Sequence, residues 1–400
     1  VAQILLLEIA KAIGKFFIHP VFYFSIILAL AAGYLRVKRE RKDFHVRVNG
    51  ALHELKQLWP AGILAGVILS IFTMVLGVAV PLEYIILIAA FSILLGVIAN
   101  ARLLSAAFTI GLPVVFIYTT VSLELQIPYI EQLRGNMTFL SGLSILLALL
   151  ILMEGILMMR GGLKDVSPKL RTSRRGLTVG ALQVKRLWLV PVLFVYPAGP
   201  FVSTLDWWPV VQWGGETFTI ILVPFLLGFQ QQVQGCLPKD AVVKLGKQTL
   251  ILGIIVLVVA NALVFFYPSV APPIVAGISI LGRFWISYRH RVRENNTLYY
   301  YTPLNDGVMI LDVLPGSPAD RMELKTGEVI VKCNNLEVTN KKELYKAVLK
   351  NRAYCKLEVL DEHQEIRFVQ CSLYEGDHHE LGILFIERRE RPKDTEVASF

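Results

Sequence analysis

Several stretches of this 400-residue chain hold side chains that catalysis or metal binding uses, and each stops short of a working set. In "HELKQ" (53–57) a His precedes a Glu, as in a helix-borne zinc protease site. Gln57 stands where a second imidazole is needed four residues on. "SGLS" (141–144) places two serines in an apolar run, without a plausible base in a later run to activate either. His378 and His379 are adjacent, so they diverge on an extended chain, and no third ligand is suitably spaced. Cys236, Cys333, Cys355 and Cys371 show no CxxC spacing and read as reduced thiols if their compartment is the cytoplasm. No Gly-x-Ser-Gly turn and no Gly-rich loop with a Walker lysine is present. The expectation is a protein that is not an enzyme, with no cofactor, no metal and no small-molecule substrate.

One motif points to a different chemistry. In "LPGSPADRM" (314–322) Gly316 suits a turn, Ser317 a helix cap and Pro318 the first helical position. Around it, 305–387 reads as a small α+β unit. "DGVMILDV" and "TGEVIVKCNN" read as strands, "TNKKELYKAVLKN" as an amphipathic helix with Thr339 as a candidate cap, and "YCKLEVLDEHQEIRFVQCSL" as a hairpin. "ELGILFIE" reads as a last strand. On the helix, Leu344 and Val348 are expected to face the core, with Tyr345 and Leu349 in a neighbouring stripe.

What must position this unit is a lipid-soluble body. Hydrophobic residues make up 54% of the chain, and mean hydropathy is +0.56. Nine apolar segments are expected to span a bilayer as helices, at 16–35, 61–80, 82–99, 102–121, 139–159, 187–205, 217–234, 249–267 and 272–288. Residues 1–15 read as an interfacial amphipathic segment, 16–288 as the transmembrane domain, 289–304 as a linker and 388–400 as a polar tail. Basic stretches at 36–60, 160–186 and 235–248, with "RHRVR" at 289–293, fall on one side when nine spans are counted. By the positive-inside rule that side is cytoplasmic, and the C-terminal unit shares it. "DWWPVVQW" (206–213) reads as an outer aromatic belt. No cleavable signal peptide is expected.

The overall net charge of +9 does not imply nucleic acid. Residues 1–299 carry 26 Lys and Arg against 13 Asp and Glu, whereas 300–400 carry 14 against 18. The soluble part is acidic, so a basic binding face is lacking. Within the spans Glu83, Arg102 and Glu154 sit near expected ends, where snorkelling is inexpensive, and Asn261 suits helix contact. Gly62, Gly66 and Gly77 suit close helix packing. This favours an anchor over the alternative of a transporter or channel with a regulatory tail.

The block "GVMILDVLPGSPADRMELKTGEVIVKCNN" (307–335) resembles a PDZ domain, with Glu328 where Asp is commoner. The glycine-rich strand that usually precedes this block is matched by "LGIL" (381–384) after it, as in circularly permuted PDZ domains. The resemblance implies a groove that captures an extended peptide by strand addition. Leu381, Gly382, Ile383 and Leu384 would be its edge, and Lys342, Tyr345 and Leu349 its helix wall. The loop 375–382 would offer N–H groups to a terminal carboxylate. Together with "FFIHPVFY" (16–23) and "RVKRERKDFHVRV" (36–48), the chain resembles the MinJ family of cell-division topological determinants of Bacillus and its relatives. That resemblance implies an adaptor at septum and poles. It would link a DivIVA-like marker to a MinD-like partner, and so to the MinCD inhibitor of FtsZ rings, with the lipid bilayer as its other partner. A rival reading, beside the transporter or channel, is a PDZ adaptor for a separate membrane protease.

Overall fold

Two helices open the chain, α1 (Ala2–Ile18) and α2 (Pro20–Phe44), broken at His19, whose Nδ1 accepts the Val21 N–H at 3.3 Å. The computed structural model describes residues 2–98, 101–124, 139–161, 166–173, 176–202, 217–351, 353–374 and 381–386. Next come α3 (His53–Leu58), α4 (Pro60–Leu76), α5 (Leu82–Val97), a 3-10 turn (Ala101–Leu104), α6 (Ala106–Thr109), α7 (Gly111–Ser122) and α8 (Phe139–Gly161). Strands β1 (Ser167–Thr172), β2 (Thr178–Val202) and β3 (Thr217–Val233) interrupt the helices, and α9 (Pro238–Phe266) and α10 (Ala271–Asn296) complete the apolar body. Among the described residues four helical stretches are long and apolar enough to cross a membrane: Pro20–Phe44, His53–Leu76, Leu140–Gly161 and Pro238–Phe266.

The expected helices at 187–205 and 217–234 are instead the two arms of one antiparallel hairpin, β2 and β3. Both runs have the length and apolarity of a span, which is why hydropathy reads them as helices. Each holds a proline near its middle, and the register pairs Pro191 with Pro224. Proline cannot donate to a ladder, so in a hairpin it must point outward. It does so here at both edges. The β-branched and aromatic content of "LWLVPVLFVYP" also suits a strand better than a helix.

An open strand edge in an apolar body must be satisfied by something. On the β2 side, α4 supplies it. Gly62 and Gly66 bring the α4 backbone against the Leu189 and Pro191 carbonyls, where any Cβ would collide. Ser70 Oγ accepts the Leu193 N–H at 3.0 Å, and Thr73 Oγ1 donates to the Leu193 carbonyl at 2.6 Å. The segment after α4 continues the edge, with Val195 N–H donating to Val78 O and Val80 N–H to Val195 O. Glycines 62 and 66 thus allow close packing, against a strand rather than a helix, while Gly77 ends α4 with φ +62°. On the β3 side, Arg102 Nε donates to the Gln230 carbonyl at 2.7 Å, and the 3-10 turn crowds Gly228. Helix α1 packs on the same strand, where Thr219 Oγ1 donates to the buried Glu8 at 2.5 Å.

Beside the hairpin, α8 and α9 approach backbone to backbone at Gly155, Gly246 and Gly253. Asn261 is exposed and bonds its own helix at Leu257 O, so it does not join two helices. The basic stretches after α2's apolar half and before α9's are turns of those helices rather than loops.

The C-terminal unit comprises β4 (Val308–Val313), α11 (Pro318–Arg321), β5 (Val329–Cys333), β6 (Leu336–Glu337), α12 (Lys341–Lys350), β7 (Tyr354–Leu360), β8 (Ile366–Ser372) and β9 (Ile383–Phe385). Its strands run β8-β7-β5-β4-β9, each pair antiparallel, with β6 on β5. Its core gathers Ile310, Ile330, Leu344, Val348, Leu357 and Ile383. The segment expected as a linker is helical to Asn296 and then straps down. Tyr301 is fully buried with Leu182 and Leu311, and its carbonyl accepts the Gly180 N–H at 2.9 Å.

Candidate functional site

The motif at 314–322 folds as its residue types dictate. Ser317 Oγ accepts the Asp320 N–H at 3.3 Å, and Pro318 opens α11. The turn is tied to the far end of the chain. Leu314 N–H donates to the Gly382 carbonyl at 2.8 Å, and Ala319 N–H to the Leu381 carbonyl at 3.0 Å. Gly382 has φ +75°, and a Cβ there would strike Ser317. The glycine is therefore required by its own turn, before any ligand is considered. Glu328 reaches Arg367 at 2.8 Å and accepts the Lys325 N–H at 2.8 Å, so the longer carboxylate spans a gap between two elements.

Among the described residues strand β9 ends its sheet, bonded to β4 through Ile383, Leu384 and Phe385. Leu381, Ile383, Leu384 and Phe385 are buried, so their side chains belong to the core. Helix α12 packs on β5. Leu344 and Val348 enter the core, while Tyr345 and Leu349 are each 39% exposed on the outer face. The helix is capped by Asn340 rather than Thr339. Asn340 Oδ1 accepts the Glu343 N–H at 2.9 Å, and Glu343 in return accepts the Thr339 N–H and hydroxyl at 2.9 and 2.7 Å. These bonds hold the Glu343 carboxyl below its ordinary value, the Thr339 N–H being the largest cause. Between the β9 end and this cap opens a cavity of about 650 Å³. Met309, Asn340, Lys341, Lys342, Phe385 and Ile386 line it, together with Thr302–Asn305. The structure thus brings Lys342 to the groove mouth, with Tyr345 and Leu349 farther along the same helix. The stretch 375–380, with His378 and His379, lies outside the described residues, as do the aromatic belt at 206–213 and the tail at 388–400.

The stretches weighed for catalysis are occupied locally. His53 Nε2 lies 2.6 Å from Gln57 Nε2 within α3. Ser144 donates to Leu140 O in its own helix, and Ser141 to Pro268 O.

Two polar clusters were not foreseen. Glu154 does not snorkel. It is fully buried, 2.9 Å from Arg283 Nη2, and also accepts the Ser105 hydroxyl at 2.6 Å and the Ala106 N–H at 3.1 Å. This network joins α8, α10 and the start of α6 and satisfies both carboxylate oxygens. An arginine inside an apolar run, "ILGRFWIS", was its sequence signal. The second cluster lies at the hairpin base, where Arg36 bonds Glu54 at 2.5 Å and Glu40 at 3.0 Å. Arg39 there bonds Gln183 and, at 2.5 Å, Ser167.

No family model matches the chain. Among curated proteins it is 36% identical over 398 residues, 98% of each chain, to the cell division topological determinant MinJ of Bacillus subtilis strain 168. It is 23% identical over 380 residues to the probable cell division topological determinant MinJ of Lacticaseibacillus paracasei, covering 92% of this chain and 95% of that one. The same figures hold for the corresponding protein of Lacticaseibacillus casei strain BD-II.

Proposed function

The chain belongs to the MinJ family of cell division topological determinants, and from that premise we propose that it is a membrane-anchored adaptor controlling where the septum forms. Its helices hold it in the cell membrane as a multi-pass protein enriched at septum and poles, with the C-terminal unit in the cytoplasm. That unit acts as a permuted PDZ-type module. It takes an extended partner chain on the free side of β9, against Lys342, Tyr345 and Leu349. The partners are division proteins, a DivIVA-like polar marker and a MinD-like protein, which the adaptor bridges so that MinCD disassembles misplaced FtsZ rings.

The observation that carries this reading is the full-length match to a cell division determinant, C-terminal unit included. Its physical support is a sheet that ends at β9 among the described residues, a cavity shared by Phe385, Ile386 and Lys342, and the exposed Tyr345 and Leu349 on the same helix. Tethering to a bilayer raises the effective concentration of membrane partners, so each contact can be weak.

The test is co-precipitation of DivIVA-like and MinD-like partners with the full chain, a chain truncated after Asn296, and K342E. Truncation is expected to abolish capture of at least one partner, and K342E to weaken it several-fold without loss of membrane insertion. Full capture of both partners by the truncated chain overturns the module's role. A Gly382 substitution is unsuitable here, because it strikes Ser317 and tests the fold.

A further inference from the structure

The cluster at the hairpin base encloses a cavity of about 90 Å³ that neither the anchor nor the peptide edge uses. It lies where α2 turns from apolar to basic, between the α2 end, the start of α3 and the first residues of β1 and β2. Arg36, Arg39, Lys185 and Arg186 line it against two carboxylates, Glu40 and Glu54. Four fixed cations against two anions leave a net charge of +2 at the wall.

The two carboxylates are already committed. Glu40 accepts from Arg36, the Ser167 hydroxyl at 2.7 Å and the Val48 N–H at 3.0 Å, and Glu54 holds Arg36. Two donors remain. The buried Arg39 Nε has no hydrogen-bond partner among the described residues. Lys185 lines the cavity, and no hydrogen bond or ion pair links its ammonium to a described residue. A buried cationic donor without a partner is costly, and a bound anion removes that cost. A single water needs only roughly 10–15 Å³, so the cavity admits a tetrahedral oxyanion.

We propose that this cavity binds the phosphate of an anionic phospholipid, with Lys185 and Arg39 as its principal donors. The apolar surroundings favour a lipid over free phosphate. Leu35 lines the cavity and is half exposed, and Ile27 and Tyr34 on the same helix are exposed as well. An acyl chain has an apolar ridge to follow from the site into the bilayer. Basic pockets between membrane helices are a known physical solution for anionic headgroups.

The test uses the purified full chain in detergent and native mass spectrometry, with phosphatidylglycerol and phosphatidylcholine supplied at equal concentration. Phosphatidylglycerol is expected to be retained preferentially. K185E is expected to lower its retention roughly tenfold, from a two-unit change of charge at a headgroup site. Thermal unfolding of both variants in detergent checks that the fold is kept. K169E makes the same charge change on β1 outside the cavity and is expected to leave retention within about twofold. Equal loss in both variants means generic attraction and overturns the site, as does equal retention of the two lipids. Titration with inorganic phosphate separates the sources. Saturable phosphate binding that K185E abolishes, without lipid preference, keeps an oxyanion site but overturns its lipid occupant.

Discussion

The two halves of this molecule meet the same constraint in different ways. Every backbone polar group must find a partner, and in the C-terminal unit neighbouring strands and short caps supply them. In the apolar body a 25-residue strand pairs with β3 on one edge, and its other edge beyond β1 is closed by side chains and loop backbone from α4 and the segment after it. Local chemistry builds one half and long-range chemistry the other. The body should therefore fail through single polar contacts, and the C-terminal unit through packing and caps.

The largest expected effect is at the buried ion pair. R283M leaves Glu154 without its counter-charge and should cost about 3–5 kcal/mol. The double variant R283M/E154M should recover much of that loss, because both charges leave together. Thermal unfolding of the full chain in detergent measures it. Equal loss in single and double variants would mean that packing, not charge pairing, dominates at this junction. Next is the hairpin edge. S70A removes the acceptor of the Leu193 N–H and should cost about 1–3 kcal/mol, the range for an orphaned buried group. A neutral outcome would make this edge as forgiving as a solvated one, and the contrast between the halves would fall.

That contrast also explains what the sequence made legible. The C-terminal elements were readable because their signals are local: Ser317 before Pro318, the Asn334-Asn335 turn, and the spacing of Leu344 and Val348. The cap was misplaced by one residue because Thr339 and Asn340 are both good caps, and only the Glu343 N–H contact separates them. In the body, apolar runs located seven helical segments. They did not reveal β2 and β3, because run length alone does not distinguish a buried strand from a helix. Pro191 and Pro224 carried that information, and Arg283 carried the ion pair. Their partners, Leu193 with Thr73 or Glu154 with Arg283, lie some 120 residues apart. The hairpin-base cavity is likewise assembled from four elements.

The smallest effect tests the cap of α12. N340A should cost about 1 kcal/mol in the C-terminal unit alone. The readout is labelling of Cys333 and Cys355, which are buried there, whereas Cys236 and Cys371 are partly accessible. Faster labelling of the buried pair with unchanged helical-body melting is the expected outcome, and parallel loss in both halves would show the Tyr301 strap coupling them. The same readout has a defined pH dependence. Glu343 is held below its ordinary value near 4.5 in the folded state by the Thr339 and Asn340 bonds. Its contribution is complete above that ordinary value and is lost as pH falls through the lower folded value. Asp361 shifts the same way, chiefly through the Glu365 N–H. The thiolate fraction falls with pH, so the rate is taken relative to the unfolded chain at the same pH. That relative rate should rise in acid, and E343Q should remove part of the rise while slightly raising the relative rate at neutral pH. An acid profile unchanged by E343Q would assign the dependence to Asp361 and its turn, leaving the helix cap to hydrogen bonding without charge.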